Sequence, residues 1–81
     1  MSDGDAAGDV LEYLVRAIVD APDAVEVDLV AGDPDRYDVR VAEGDMGRVI
    51  GRRGHTAGAI RTVVRAAAAR SERTIDVEFV D

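Results

Sequence analysis

Three short stretches of this chain alternate between apolar and charged residues. Val25, Val27 and Leu29 alternate with Glu26 and Asp28, Tyr37, Val39 and Val41 with Asp38 and Arg40, and Ile75, Val77 and Phe79 with Asp76 and Glu78. Successive side chains of a strand point to opposite faces, so each stretch reads as a strand with one apolar and one charged face. A sheet of such strands buries one side under a layer of helices and leaves the other to water or a partner. Gly32-Asp33-Pro34-Asp35 is turn chemistry, and so short a connection predicts an antiparallel hairpin of the first two strands. A long helical crossover separates the second strand from the third, which predicts parallel, right-handed pairing of those two.

Helical spacing accounts for the remainder. Val10, Leu11, Leu14, Val15 and Ile18 form an apolar stripe over about residues 9–20, with Asp9 as the expected N-cap and Pro22 closing the segment. Met46 to Ile50 suffices for about one and a half turns. Beyond Gly54, Ile60, Val63, Val64 and Ala67 are expected on the core face of a longer helix, which ends by Arg70-Ser71-Glu72-Arg73. Residues 1–8 are small, polar and glycine-containing and predict a disordered lead, with one domain over residues 9–81. The expected architecture is α+β in the order α-β-β-α-α-β, a three-stranded mixed sheet with helices on one face. Among three aromatics, Phe79 is expected to fill the core and Tyr37 to edge it.

Composition removes several function classes. The 81 residues, 47% apolar, suffice for one small domain. Cysteine and lysine are absent and His55 is the one histidine, which excludes disulfides, thiolate or multi-histidine metal sites, a lysine-bearing phosphate loop and Schiff-base chemistry. Ser2 and Ser71 fall in expected loops, and the acids show no site-like spacing, so no catalytic constellation emerges. The acidic N-terminus lacks the basic start and apolar run of a secretory signal, and no stretch has the roughly 18 apolar residues of a membrane span. The expectation is a soluble cytoplasmic domain with no cofactor, no metal, no membrane association and no small-molecule substrate.

A net charge of −7 argues on its face against a phosphate-bearing partner. The charge is unevenly placed, however. Residues 1–39 carry eleven acids against Arg16 and Arg36, whereas residues 40–73 carry eight arginines against Glu43, Asp45 and Glu72. Such asymmetry along a chain points to nucleic-acid contact.

Within the basic stretch, Gly51-Arg52-Arg53-Gly54 lies between the two expected helical segments. A Gly-x-x-Gly spacing means little alone, since eight glycines in 81 residues produce about one by chance. Gly44-Asp45-Met46-Gly47 has the same spacing, but it contains an acid and leaves a strand. The second tetrad differs in chemistry. Its glycines permit a tight helix–helix turn and close approach to the main chain. The next helix N-terminus offers free amides and partial positive charge, and Arg52 and Arg53 add forked cationic donors.

Val49-Ile50-Gly51-Arg52-Arg53-Gly54, followed by Ile60, resembles the signature of the KH domain, and the element order resembles its type II, or prokaryotic, arrangement. The small size and the run from Gly54-His55-Thr56-Ala57 to Ile60-Arg61-Thr62-Val63-Val64 resemble the KhpA (YlqC) family of small bacterial RNA-binding proteins over about residues 9–80. The resemblance implies single-stranded RNA in a narrow groove, with the Gly51–Gly54 loop clamping the backbone of about four nucleotides. Helical residues Val49, Ile50 and Ile60 would wall one side, and the last strand, around Ile75 to Glu78, the other. It further implies an RNA chaperone or post-transcriptional regulator that self-associates or pairs with a larger KH-domain protein. Three departures from the family are arginine where its loop commonly has lysine, the pronounced acidity of the first half of the chain, and Gly58, which interrupts a helix at about 1 kcal/mol relative to alanine.

Neighbouring residues carry competing readings. Arg48 projects beside the loop. Arg61 and Arg65, one turn apart, either extend a basic strip or pair with Glu72 or the acidic lead. His55 either stacks on a base or is an ordinary surface residue. Arg40, among Glu26, Asp28, Asp38, Asp76 and Glu78, favours a cross-strand ion pair. Few aromatics are available for a stacking platform. A noncatalytic RNA-binding module is therefore the leading expectation, with a KH-like protein–protein adaptor acting through homo- or hetero-dimerisation as the alternative.

Overall fold

The computed structural model describes residues 6–80. The elements are α1 (Ala6–Ile18), β1 (Glu26–Val30), β2 (Asp35–Arg40), α2 (Met46–Ile50), α3 (His55–Ala69) and β3 (Ile75–Phe79), with single 3-10 turns at Pro22–Ala24 and Arg52–Gly54. This is the α-β-β-α-α-β order expected from the sequence. The strands lie in the order β1-β2-β3. β1 pairs antiparallel with β2, Leu29 opposite Tyr37, and β3 pairs parallel with β2, Val77 opposite Tyr37. Both strand pairings match the alternation and the length of the connections.

α1 packs against α3 and β1, and α3 against β3. The core joins Leu11 and Val15 of α1, Tyr37 and Val39 of β2, Val49 of α2, Ile60, Val64 and Ala68 of α3, and Ile75 and Val77 of β3. Removal of these apolar side chains from water is the main force holding helices to sheet. The opposite sheet face carries the charges, and there Arg40 reaches Asp28 on the neighbouring strand at 3.5 Å, the expected cross-strand pair.

Four local expectations change. Residues 6–8, read as the end of a disordered lead, are the first turn of α1, because Ala7 continues the four-residue series Leu11, Val15 and Val19 into the core. Residues 1–5 of that expected lead lie outside the described residues. Asp9 is consequently an exposed first-turn residue rather than an N-cap, still placed well for the helix dipole. On α3 the core stripe is Ala57, Ile60, Val64 and Ala68, while Val63 is 46% exposed, about 100° around the helix from Val64.

Tyr37 and Phe79 exchange roles. Tyr37 is 1% exposed, because it sits mid-way along the central strand, under the helix layer. Phe79 ends the edge strand β3 and is only partly buried. At the other edge, Leu29 of β1 is half-exposed. Alternation identifies its face, but not how far the helices reach over it.

Candidate nucleic-acid interface

α2 and α3 are joined by a turn whose shape depends on unusual backbone angles. Gly51 has φ 74° and ψ 174°, Arg53 has φ 57° and ψ 23°, and Gly54 has φ 75° and ψ 13°. The turn closes through the Gly54 N–H donating to the Gly51 carbonyl at 3.1 Å. Gly51 is doubly required. Its φ is disfavoured for residues with a Cβ, and a Cβ there would lie 2.6 Å from the Thr56 Cβ. Arg53 occupies left-handed space without being glycine, as Glu72 does in the turn after α3, a conformation uncommon for residues with a Cβ.

Gly54 is the N-cap of α3 and no side chain caps that helix. First-turn amides and the positive end of the helix dipole therefore face the turn that carries Arg52 and Arg53. Both arginines are exposed, and among the described residues neither side chain has a hydrogen-bond or ion-pair partner. His55, also exposed, opens α3 beside them.

Most other arginines of the basic stretch are engaged by the protein itself. Arg48 on α2 contacts Asp20 at 2.9 Å and Asp45 at 3.6 Å. Arg61 donates Nε–H to the Val77 carbonyl at 3.0 Å and lies 5.4 Å over the Phe79 ring. Arg65 reaches Asp76 at 3.4 Å, so Arg61 and Arg65 bind β3 rather than Glu72. On the sheet, Arg36 holds Asp38 at 2.6 Å, and that hydrogen bond raises the Arg36 pKa above its ordinary value. Self-neutralisation thus leaves the Gly51–Gly54 turn with the exposed, uncommitted charge nearest the helix N-terminus.

The apolar residues expected to support bases divide by depth. Val49 and Ile60 are core residues, and Ile50 is half-buried. Val49 and Ile60 hold the two helices to the sheet and do not present a surface. Ile50 remains accessible next to Gly51. Gly58, one turn beyond Gly54, is exposed, with open space where a Cβ would stand and its carbonyl accepting from Thr62 Oγ1 at 3.0 Å.

Sequence reasoning missed Asp45. Its carboxylate is buried and accepts the main-chain N–H groups of Asp20 at 3.2 Å and Ala21 at 3.1 Å. It thereby pins the start of α2 to the end of α1. The acid that set Gly44-Asp45-Met46-Gly47 apart faces inward for a structural purpose. Its partners lie 24 and 25 residues away on the backbone, where no side-chain pattern could signal them. Among the described residues, no group of three or more His, Cys, Asp or Glu is placed to hold a metal, and no helix is long and apolar enough to cross a membrane.

The family model described as KhpA/KhpB, KH domain, matches residues 8–79. The RNA-binding protein KhpA of Mycobacterium tuberculosis is 49% identical over 74 residues, covering 90% of this chain and 89% of the relative. The corresponding values are 42%, 90% and 99% for RNA-binding protein KhpA of Caldanaerobacter subterraneus, and 36%, 90% and 90% for that of Borreliella burgdorferi. Among solved structures, Aquifex aeolicus Era aligns with a TM-score of 0.66 at 15% identity over 98% of this chain, which spans 31% of the Era chain. That likeness is one of fold.

Proposed function

The chain belongs to the KhpA/KhpB family of KH domains, and on that premise we propose that it is a noncatalytic module that binds single-stranded RNA through the Gly51–Gly54 turn. The observation that carries this reading is the pair of exposed, unpartnered guanidiniums on Arg52 and Arg53, at an uncapped helix N-terminus, in a protein whose neighbouring arginines are mostly neutralised by its own acceptors. Arg52 and Arg53 hold phosphates, the first-turn amides of α3 add main-chain donors, and the bare Gly51 and Gly54 let the RNA backbone approach. Ile50 offers apolar contact, Val49 and Ile60 fix the helices beneath it, and Gly58 and His55 extend the contact along α3, where Arg61 is held against β3. The acidic sheet face repels polyanions and so orients the approach. We assign the protein to the cytoplasm, as an RNA chaperone or post-transcriptional regulator.

A second reading, protein pairing with another copy or with a larger KH protein, is favoured by the exposed apolar residues Tyr13 and Val63. Arg52→Asp with Arg53→Asp separates the two. Binding of a fluorescent, unstructured RNA is expected to be lost while the oligomeric state by light scattering stays that of the parent. For the parent, log affinity should fall with log salt at a slope near roughly −2 if about three phosphates are neutralised. A flat salt response would sink phosphate clamping, and a change in oligomeric state alone would favour the adaptor.

A further inference from the structure

Arg48 stands on α2, three residues before Gly51, yet its guanidinium is already occupied. Its two carboxylate partners are unequal. Asp45 has a side chain only 6% exposed, fixed by the amides of Asp20 and Ala21, so it cannot follow or leave the arginine. Asp20 has a side chain 74% exposed and touches Arg48 Nη2 at 2.9 Å. Its main-chain N–H, not its carboxylate, is what the fold uses. Arg48 therefore has one fixed carboxylate beside Nε and one exchangeable carboxylate at its outer end.

We infer that the Asp20 carboxylate is an intramolecular competitor of RNA phosphate for Arg48, and that this exchange sets the affinity of the Gly51–Gly54 site. The inference rests on the RNA-binding reading above. In the free protein Asp20 occupies the outer face of the guanidinium. When RNA enters the loop, a phosphate takes that place while Asp45 keeps Nε oriented, so Arg48 becomes another phosphate contact beside Arg52 and Arg53. The bond that yields is an exposed ion pair, the kind of contact that holds back little free energy. The acidic first half of the chain thus tempers the basic site through one particular residue.

The test is fluorescence anisotropy with a labelled single-stranded RNA of mixed sequence, across a salt series, on the full chain. Asp20→Asn keeps the main-chain donor to Asp45 and leaves the fold in place, as a thermal melt will show. It should tighten binding by about two- to fivefold and leave the log–log salt slope close to that of the parent, because the bound state of both proteins has a phosphate on Arg48. Asp23→Asn, an exposed acid on the same connection, controls for net charge and should leave the affinity unchanged. In the Arg48→Gln background, Asp20→Asn should have no effect. Equal binding by Asp20→Asn and the parent overturns the competition. So does the same gain in the Arg48→Gln background or in Asp23→Asn. If neither the parent nor Asp20→Asn binds RNA at any salt, the RNA-binding reading falls and takes the competition with it.

Discussion

Arg61 donates its Nε–H to the main-chain carbonyl of Val77 at 3.0 Å, across 16 residues of sequence. That bond ties the middle of α3 to an edge strand that has a strand neighbour on only one side. The guanidinium then covers Phe79 at 5.4 Å, joining a charged hydrogen bond to a cation–π contact. Arg61→Leu removes both, and urea unfolding should show a loss of about 1–2 kcal/mol. A surface arginine with no such tie would change stability by less than about 0.5 kcal/mol.

Gly51 should be the least replaceable residue of the turn. Gly51→Ala forces a Cβ into a positive-φ, extended-ψ conformation that only glycine adopts readily, at about 1–3 kcal/mol, and into the Thr56 side chain. Thermal unfolding should register more than that backbone term alone. Adding Thr56→Ala should recover only the part due to the Thr56 hydroxyl, because the Cβ at position 56 stays 2.6 Å from the new methyl group and the backbone part is untouched. A Gly51→Ala protein as stable as its parent would contradict the turn geometry.

At Arg53, stability and binding should separate. Glycine relieves the left-handed strain of about 1–2 kcal/mol, partly offset by about 0.5–1 kcal/mol of added unfolded-state entropy. Arg53→Gly is thus expected to be as stable as the parent, or more so by up to ~1 kcal/mol, while its RNA affinity falls and its salt slope flattens. Loss of stability comparable to an ordinary destabilising substitution would show that the Arg53 side chain holds the turn together.

Asp45→Ala strands the Asp20 and Ala21 amides in a part-buried connection. Unfolding in denaturant should show a loss of about 2–3 kcal/mol, since two charge-assisted bonds disappear and their donors remain. Asp45→Asn keeps one of the two acceptor oxygens and sets an NH2 donor against the other amide, so it should lose at least half as much. An Asp45→Asn protein as stable as its parent would show that one of the two hydrogen bonds is dispensable.

How far each feature was legible follows from the range of the interaction that makes it. Alternation at Val25–Leu29, Tyr37–Val41 and Ile75–Phe79 determined the strands and their faces, because side-chain direction along a strand is a local property with a period of two. The short Gly32–Asp35 connection and the long helical crossover determined antiparallel and parallel pairing, because chain reach limits which partners can meet. Gly51-Arg52-Arg53-Gly54 was legible for the same reason: backbone freedom and charge are written in the tetrad itself. Tertiary structure alone decided that Tyr37 lies in the core while Phe79 lies at its margin, and that α1 includes Ala6 to Gly8. It also decided which cations stay free. Arg48, Arg61 and Arg65 look as available as Arg52 and Arg53 in one dimension, yet they meet Asp20, Val77 and Asp76. Burial and ion pairing join residues distant in sequence through the packing of whole elements, and no local pattern encodes that distance.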